Sequence, residues 1–305
     1  MKYDHIVVGG GTAGCILAAK LSEDPGHSTL LLEAGPEYPD FEQLPDMLKY
    51  GWGLINLQAR AANSPFNWSF TGKATPQQSE PMPVPRGKVL GGSSAINGQT
   101  FIRGAPEDFD TWASWGNDEW SYIKVLPYFR QIENDDDFRD DFHGTNGPIP
   151  VRRHKREDWP PLQEAFYQAC VSAGYPYNPD NHDPDATGVS LRAENNVDGV
   201  RMGMALTHIE PNRKRLNLTI KANVQVMRIA FSGNLATGLE VESGGERFLV
   251  EGEQITLCAG AVGSPQLLML SGIGPRDQLE PLDIPVVVDA PGVGHNMGDH
   301  PNVVV

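Results

Sequence analysis

Cysteine is nearly missing from this chain. Cys15, Cys170 and Cys258 form no C-x-x-C pair and no metal-ligand spacing, which excludes a disulfide framework and a cysteine metal site. They read as small buried residues of a reducing compartment. Long apolar runs are missing as well: no segment approaches the ~18 consecutive apolar residues of a membrane span. Met1-Lys2-Tyr3-Asp4 enters a strand with no charged-then-apolar leader, so the expected location is cytoplasmic. Cations are outnumbered, 24 Lys and Arg against 39 Asp and Glu, for a formal charge of -15. That field repels phosphate backbones and anionic lipid, so neither nucleic acid nor a membrane surface is an expected partner. Also absent are a nucleophile elbow, an H-E-x-x-H pair, a P-loop and any internal repeat.

What is present suits a globular protein. The chain has 305 residues, 39% apolar and 21% charged, room for two domains or one large α/β unit. Gly (33) and Pro (25) exceed their usual shares, so many tight turns and long irregular connections are expected. Two charged clusters, Arg152-Arg153 with Lys155-Arg156 and the acidic run Glu133 to Asp141, read as solvated surface. The acidic run lacks the spacing of a calcium loop.

Along the chain, His5 to Val8 predicts a strand ended by glycines. Cys15, Ile16, Ala18, Ala19 and Leu21 supply the face of a helix, and Ser28 to Glu33 predicts a second strand. This is a βαβ unit whose continuous apolar strands suit a covered parallel sheet. Residues 38 to 86 read as extended coil with short helices. Trp112, Trp115, Trp120, Tyr122, Leu126, Tyr128 and Phe129 have helical spacing and read as core. Further on, Pro148 to Val151 predicts a strand, Pro161 to Ala173 a helix, and Met202 to His208 a weak helical segment. From Leu218 onward five short strands are expected to form an antiparallel meander, with Phe248 to Glu251 and Ile255 to Cys258 as separate strands.

The chemistry sits in the glycines. Gly9-Gly10-Gly11-Thr12-Ala13-Gly14 fits G-x-G-x-x-G between a strand and a helix. Gly9 allows the tight turn, Gly11 lets a pyrophosphate approach the backbone, and Gly14 lets helix and strand pack closely. Glu33 stands 19 residues past Gly14, where a carboxylate can accept both hydroxyls of an adenosine ribose and disfavours a 2′-phosphate. Spacing leaves FAD and NAD both open. A second glycine segment, Arg86-Gly87-Lys88-Val89-Leu90-Gly91-Gly92-Ser93-Ser94-Ala95-Ile96-Asn97-Gly98, offers bare backbone and hydroxyls to a flat ring system or phosphates, or is simply a structural loop.

These segments, together with Gly260 to Gly274 and Gly292-Val293-Gly294-His295-Asn296-Met297-Gly298-Asp299-His300-Pro301, resemble the glucose–methanol–choline (GMC) flavin oxidoreductases, in particular choline- and alcohol-dehydrogenase-like members. The resemblance runs the length of the chain and implies a Rossmann-like α/β FAD-binding domain with an added antiparallel meander. It also implies the beginning of an α+β substrate domain. The implied boundaries are 1–150 and 215–300 for the FAD domain, with 151–214 and 301–305 belonging to the substrate domain.

By resemblance, Gly9, Gly11, Thr12, Ala13 and Gly14 hold the pyrophosphate of FAD, and Glu33 and Ala34 the ribose. Gly92, Ser93, Asn97 and Gly98 line the flavin, and Val226 meets the adenine. Some members tether FAD through a histidine where this chain has Ile96, so the cofactor is expected to be non-covalent. The implied reaction is oxidation of a small-molecule alcohol by hydride transfer to flavin N5. Family alternatives are a lyase, a photodecarboxylase, or a flavin module inactive without a second chain.

The family's catalytic histidine lies beyond the last motif, and none of the eight histidines here carries a positioned acid or fits that role. The expected partner is therefore a missing C-terminal half or a complementary chain. Val303 to Val305 reads as a strand just beginning.

Overall fold

A computed structural model describes residues 2–300; the strand expected at Val303 to Val305 lies outside the described residues. The first apolar run forms β1 (Lys2–Val8), the glycines lead into α1 (Thr12–Leu21), and the second run forms β2 (Thr29–Leu32). All four residues of β2 are buried, as a strand covered on both faces requires. Four later strands complete the sheet: β3 (Leu218–Lys221), β4 (Gln225–Ser232), β5 (Leu235–Ser243) and β6 (Glu246–Leu257). Their order across it is β3-β2-β1-β6-β5-β4. The first four strands in that order run parallel, and β6, β5 and β4 form an antiparallel ribbon. Ile6, Leu30, Leu32, Leu239 and Val241 form one buried cluster, each large side chain contributing about 1.5–3 kcal/mol.

The expected meander therefore holds for three strands and needs two corrections. Leu218 to Ile220 belongs to the parallel half, with Leu218 opposite Thr29. The runs Phe248 to Glu251 and Ile255 to Cys258 are one strand, whose first half pairs with β5 and second half with β1. The polar residues between them are not a turn: Glu253 reaches solvent and pairs with Lys2 at 3.0 Å. Gly252 removes a side chain that would stand 2.5 Å from Ile6 Cδ1.

The described residues divide into two compact units, 2–48 with 53–96 and 203–300, and 49–52 with 97–202. The division falls near 97 rather than at the expected 150. Ile149–Arg153 pairs with Glu133–Asp135 on one side and Ala193–Glu194 on the other, so the chain on both sides of 150 shares one small sheet.

In the first unit, residues 53–96 carry short elements, including a hairpin of Phe70–Gly72 and Met82–Val84. The weak segment near Met202 is a single irregular turn, Ala205–Ile209. Among the described residues no helix is long and apolar enough to cross a membrane.

In the second unit, helices Pro106–Ser114 and Tyr122–Ile132 pack through Phe109, Tyr122, Val125 and Leu126. Trp112, Trp115, Trp120 and Tyr128 lie off that stripe, with Trp115 72% exposed. The reading of these four as core is corrected: Trp112 and Trp120 meet edge to face at 5.9 Å on the surface.

The charged clusters are corrected too. Glu133 and Asp135 lie two apart on a strand, hence on one face, and both are fully buried. Arg153 alternates inward from Arg152 in the same way. Its guanidinium donates to Asp135 Oδ1 and Oδ2 at 3.0 and 2.9 Å and to Asp180 Oδ1 at 2.8 Å. Arg103 pairs with Glu133.

Two histidines join this network, and one of them, His143, corrects the expectation that none has a positioned acid, as do His27 beside Asp24 and His154 beside Glu194 outside it. His143 Nδ1 lies 2.8 Å from Asp140 Oδ1 and its Nε2 3.3 Å from Asp180 Oδ2. Burial opposes its charge, but the two aspartates outweigh burial and raise its pKa. His182 Nε2 lies 3.0 Å from the Phe101 carbonyl; burial, helped by Arg103 and Arg153, lowers its pKa to about 4.

Candidate functional site

A cavity of about 570 Å³ opens in the first unit, within the ~300–1,000 Å³ range of small-molecule sites. Val8, Leu32 and Leu257, the last residues of β1, β2 and β6, line it. It thus sits at the carboxyl ends of the parallel strands, where open α/β sheets bind ligands.

The first glycine segment forms its floor. Gly9 has φ +97°, and a Cβ there would lie 2.6 Å from the Cys258 carbonyl oxygen. A Cβ on Gly14 would lie 1.9 Å from the Gly9 oxygen, so this residue serves packing and does not line the cavity. At Gly11 a Cβ would meet only Gly92 Cα, at 3.9 Å, which leaves the backbone open to a ligand. Gly11 is also the N-cap of α1, with no side-chain cap and no acid in the first turn. Thr12 and Ala13 therefore present N–H groups and the positive end of the helix dipole to the cavity they line.

The second glycine segment crosses the first. Gly91 N–H donates to the Gly10 carbonyl at 2.7 Å. Gly92, at φ +53°, passes so close that a Cβ would stand 2.5 Å from Gly11 Cα. Gly92 and Ser93 line the cavity. Ser94 does not: its hydroxyl accepts from Met204 N–H at 2.9 Å.

Glu33 lines the cavity but its carboxylate is committed to the loop. Oε2 accepts from Gly10 N–H and Oε1 from Gly35 N–H, each at 2.8 Å. Burial raises its pKa to about 7, against the opposing pull of those N–H groups and Lys88. Each oxygen keeps a lone pair for a ligand hydroxyl.

Of the expected site residues, Gly9, Gly11, Thr12, Ala13, Glu33, Ala34, Gly92, Ser93 and Val226 come together around this cavity. Asn97 and Gly98 fall in the second unit and are not among its lining residues. Sequence reasoning missed Trp68 and Phe70 and quoted Arg86 only as the start of the second glycine segment; all three also line it. Trp68 and Phe70 stack with centroids 5.9 Å apart and planes 3° from parallel, and Lys88 Nζ lies 4.7 Å over Trp68. Their i, i+2 spacing was the available signal, hidden in a stretch without sustained period. Gly260 to Gly263, quoted only as part of a motif, contribute the start of α2 (Gly260–Leu270) to the wall. The lining contains no histidine.

An open glycine backbone at an uncapped helix start, a hydroxyl acceptor one strand over, and apolar walls fit an extended dinucleotide. The family described as GMC oxidoreductase matches residues 3–302. Mouse mitochondrial choline dehydrogenase is 38% identical over 309 aligned residues, covering 100% of this chain and 51% of that protein. The crystal structure of a pyridoxine 4-oxidase from Mesorbium loti superposes with a TM-score of 0.86 at 35% identity, covering 95% of this chain and 56% of the other. An FAD-dependent oxidoreductase from Chaetomium thermophilum gives 0.85 at 29% identity, covering 95% and 51%. The chain spans about half the length of the curated relatives it matches. With the glycine-floored cavity and a family match over nearly every residue, the chain belongs to the GMC oxidoreductases and constitutes their FAD-binding N-terminal portion.

Proposed function

We propose that this chain holds non-covalent FAD for the oxidation of an alcohol. The observation that carries the reading is the crossing of the two glycine segments over the uncapped start of α1, beside Glu33. FAD, when bound, supplies a hydride acceptor for the carbon that bears the hydroxyl.

The chain's own residues bind and orient. N–H groups of Thr12 and Ala13 receive the pyrophosphate, and Glu33 beside Ala34 accepts from the ribose. Val226 borders the adenine, while Gly92 and Ser93 bring bare backbone and a hydroxyl to the ring system. Asn97 and Gly98 are assigned to the flavin by family resemblance. The relative named for choline, itself an alcohol, supports this substrate class. Because the lining contains no histidine and the relatives are about twice as long, we place the general base outside these 305 residues.

Non-covalent attachment is supported by Ile96, which is 2% exposed and packs with Leu48, Ala59, Phe66 and Val89. Acid precipitation of the purified protein should release all yellow chromophore into the supernatant. Flavin that stays with the precipitated polypeptide would contradict the reading.

A further inference from the structure

We propose that His143, His182, Asp135 and Asp180 form a closed binding site for a divalent transition metal, with zinc the best match, inside the second unit. One ligand atom from each of Asp135, His143 and His182 lies within 4.8 Å of the other two, and all three residues are buried. Asp180 stands outside that group of three, and its Oδ2, 3.3 Å from His143 Nε2 where Asp135 Oδ2 is 3.8 Å away, is the carboxylate oxygen that would move in as the fourth ligand. Metal–ligand bonds of ~2.0–2.1 Å in a tetrahedron put neighbouring ligand atoms roughly 3.3–3.4 Å apart. The two carboxylate oxygens stand near that spacing from His143 Nε2, at 3.3 and 3.8 Å, and the ligand atom of His182 lies within 4.8 Å of those of His143 and Asp135.

The ring nitrogens give the second, independent observation. His182 is 3% exposed, yet its Nδ1 has no hydrogen-bond partner. His143 Nε2, near two carboxylates, makes no well-directed hydrogen bond to either. A buried orphan nitrogen costs about 1–3 kcal/mol. A proton on His143 would account for one of these atoms, whereas a metal ion accounts for both.

The outer ring nitrogens point the same way. His143 Nδ1 is held by Asp140 at 2.8 Å, and His182 Nε2 by the Phe101 carbonyl at 3.0 Å. A carboxylate or a backbone carbonyl behind each imidazole is how metal-binding histidines are oriented.

Charge decides whether a cation is tolerated. Arg153 opposes it, donating to both oxygens of Asp135. Against that one guanidinium stand Asp135, Asp137, Asp140 and Asp180, while Arg103 is matched by Glu133. Arg153 occupies Asp180 Oδ1 and leaves Oδ2 facing His143. The surplus of buried and half-buried carboxylate favours a divalent ion. Two imidazoles and two carboxylates select a borderline metal such as zinc over magnesium or calcium. Four protein ligands leave no open position, so the role is structural: the ion ties residues 135–143 to residues 180–182. Where His143 enters as imidazolium, its Nε2 proton leaves to solvent as the metal bond forms.

The test uses the 305-residue chain stripped with a chelator, then titrated with Zn²⁺ against a chromophoric competitor and separately with Co²⁺. Expected are one equivalent bound, intense tetrahedral Co²⁺ absorption bands, and a higher unfolding temperature with Zn²⁺. Asp140→Asn, at a half-exposed position, should weaken Zn²⁺ binding ~10- to 100-fold without loss of fold. His182→Gln should weaken it at least as much, while His27→Gln, in an exposed pair with Asp24, should change nothing. No stoichiometric binding, an octahedral Co²⁺ spectrum, or unchanged affinity in Asp140→Asn would overturn the proposal. Should His182→Gln fail to fold, X-ray absorption of the wild-type zinc form decides, since fewer than two imidazole ligands would also overturn it.

Discussion

Given choline or another alcohol without oxygen, the FAD-loaded 305-residue chain should reduce its flavin about 10²–10⁴-fold more slowly than a complete relative, the usual worth of general-base catalysis. The expectation comes from where the histidines are. His5 lies within β1, and His27 sits on the surface 3.0 Å from Asp24. His143 and His182 belong to the buried ionic network, and His154 is 3.2 Å from buried Glu194. His208 Nδ1 is 2.8 Å from the Thr207 hydroxyl, and burial lowers its pKa. His295 rests 3.1 Å from Gln278, and His300 is exposed. None lines the cavity, whose titratable groups are Glu33, Arg86 and Cys258. Burial raises the Cys258 thiol pKa, and Glu33 is spoken for by two N–H groups. Neither suits proton removal from an alcohol beside the flavin. Rapid-mixing measurement of flavin bleaching, alone and after addition of a polypeptide carrying the remaining half of a relative, makes the comparison. A rate within tenfold of the complete enzyme for the chain alone would sink the idea, and His300 and His295 would be the first places to look.

How much of this was legible in the sequence varies by element. β1, α1 and β2 were readable because glycines punctuate continuous apolar runs, and the fold class followed from them. The crossing of Gly10 and Gly91 was not, since no local pattern states which loop touches which. β6 was read as two strands because Gly252-Glu253-Gln254 interrupts its apolar pattern, although a strand that changes partner halfway needs no unbroken apolar face. The charged clusters misled for a related reason. Runs of acids normally lie in solvent, but alternation on a short strand turned Glu133 and Asp135 inward, and the cation that receives Asp135 comes from a segment expected to be equally exposed. Trp68 and Phe70 were invisible in a stretch without period, where only the tertiary fold makes them cavity walls.

Replacement of Glu33 by alanine should weaken FAD binding by about 1.5–3 kcal/mol, roughly 10- to 150-fold, through lost charge-assisted bonds to the ribose. The structure adds a second consequence. Glu33 also receives Gly10 and Gly35 N–H, so Glu33→Gln, which faces one of those donors with an amide N–H, should destabilise the apoprotein by about 1–3 kcal/mol rather than act as a silent isostere. The pH dependence follows from burial. The folded pKa is about 7, against an ordinary 4.5, so between these values the folded apoprotein binds the extra proton. Its stability should therefore fall as pH rises from about 4.5 to about 7 and then level off. FAD binding runs the other way, because ribose hydroxyls need the ionised carboxylate as acceptor: affinity should tighten as pH passes upward through about 7 and stay flat in Glu33→Gln. Fluorescence quenching of free FAD across that range gives the affinities of wild type and both variants, and urea unfolding of the apoproteins gives their stabilities. An unchanged dissociation constant in Glu33→Ala would mean that the ribose is held elsewhere, and a wild-type affinity independent of pH would mean that the carboxylate enters the complex in the charge state it already had.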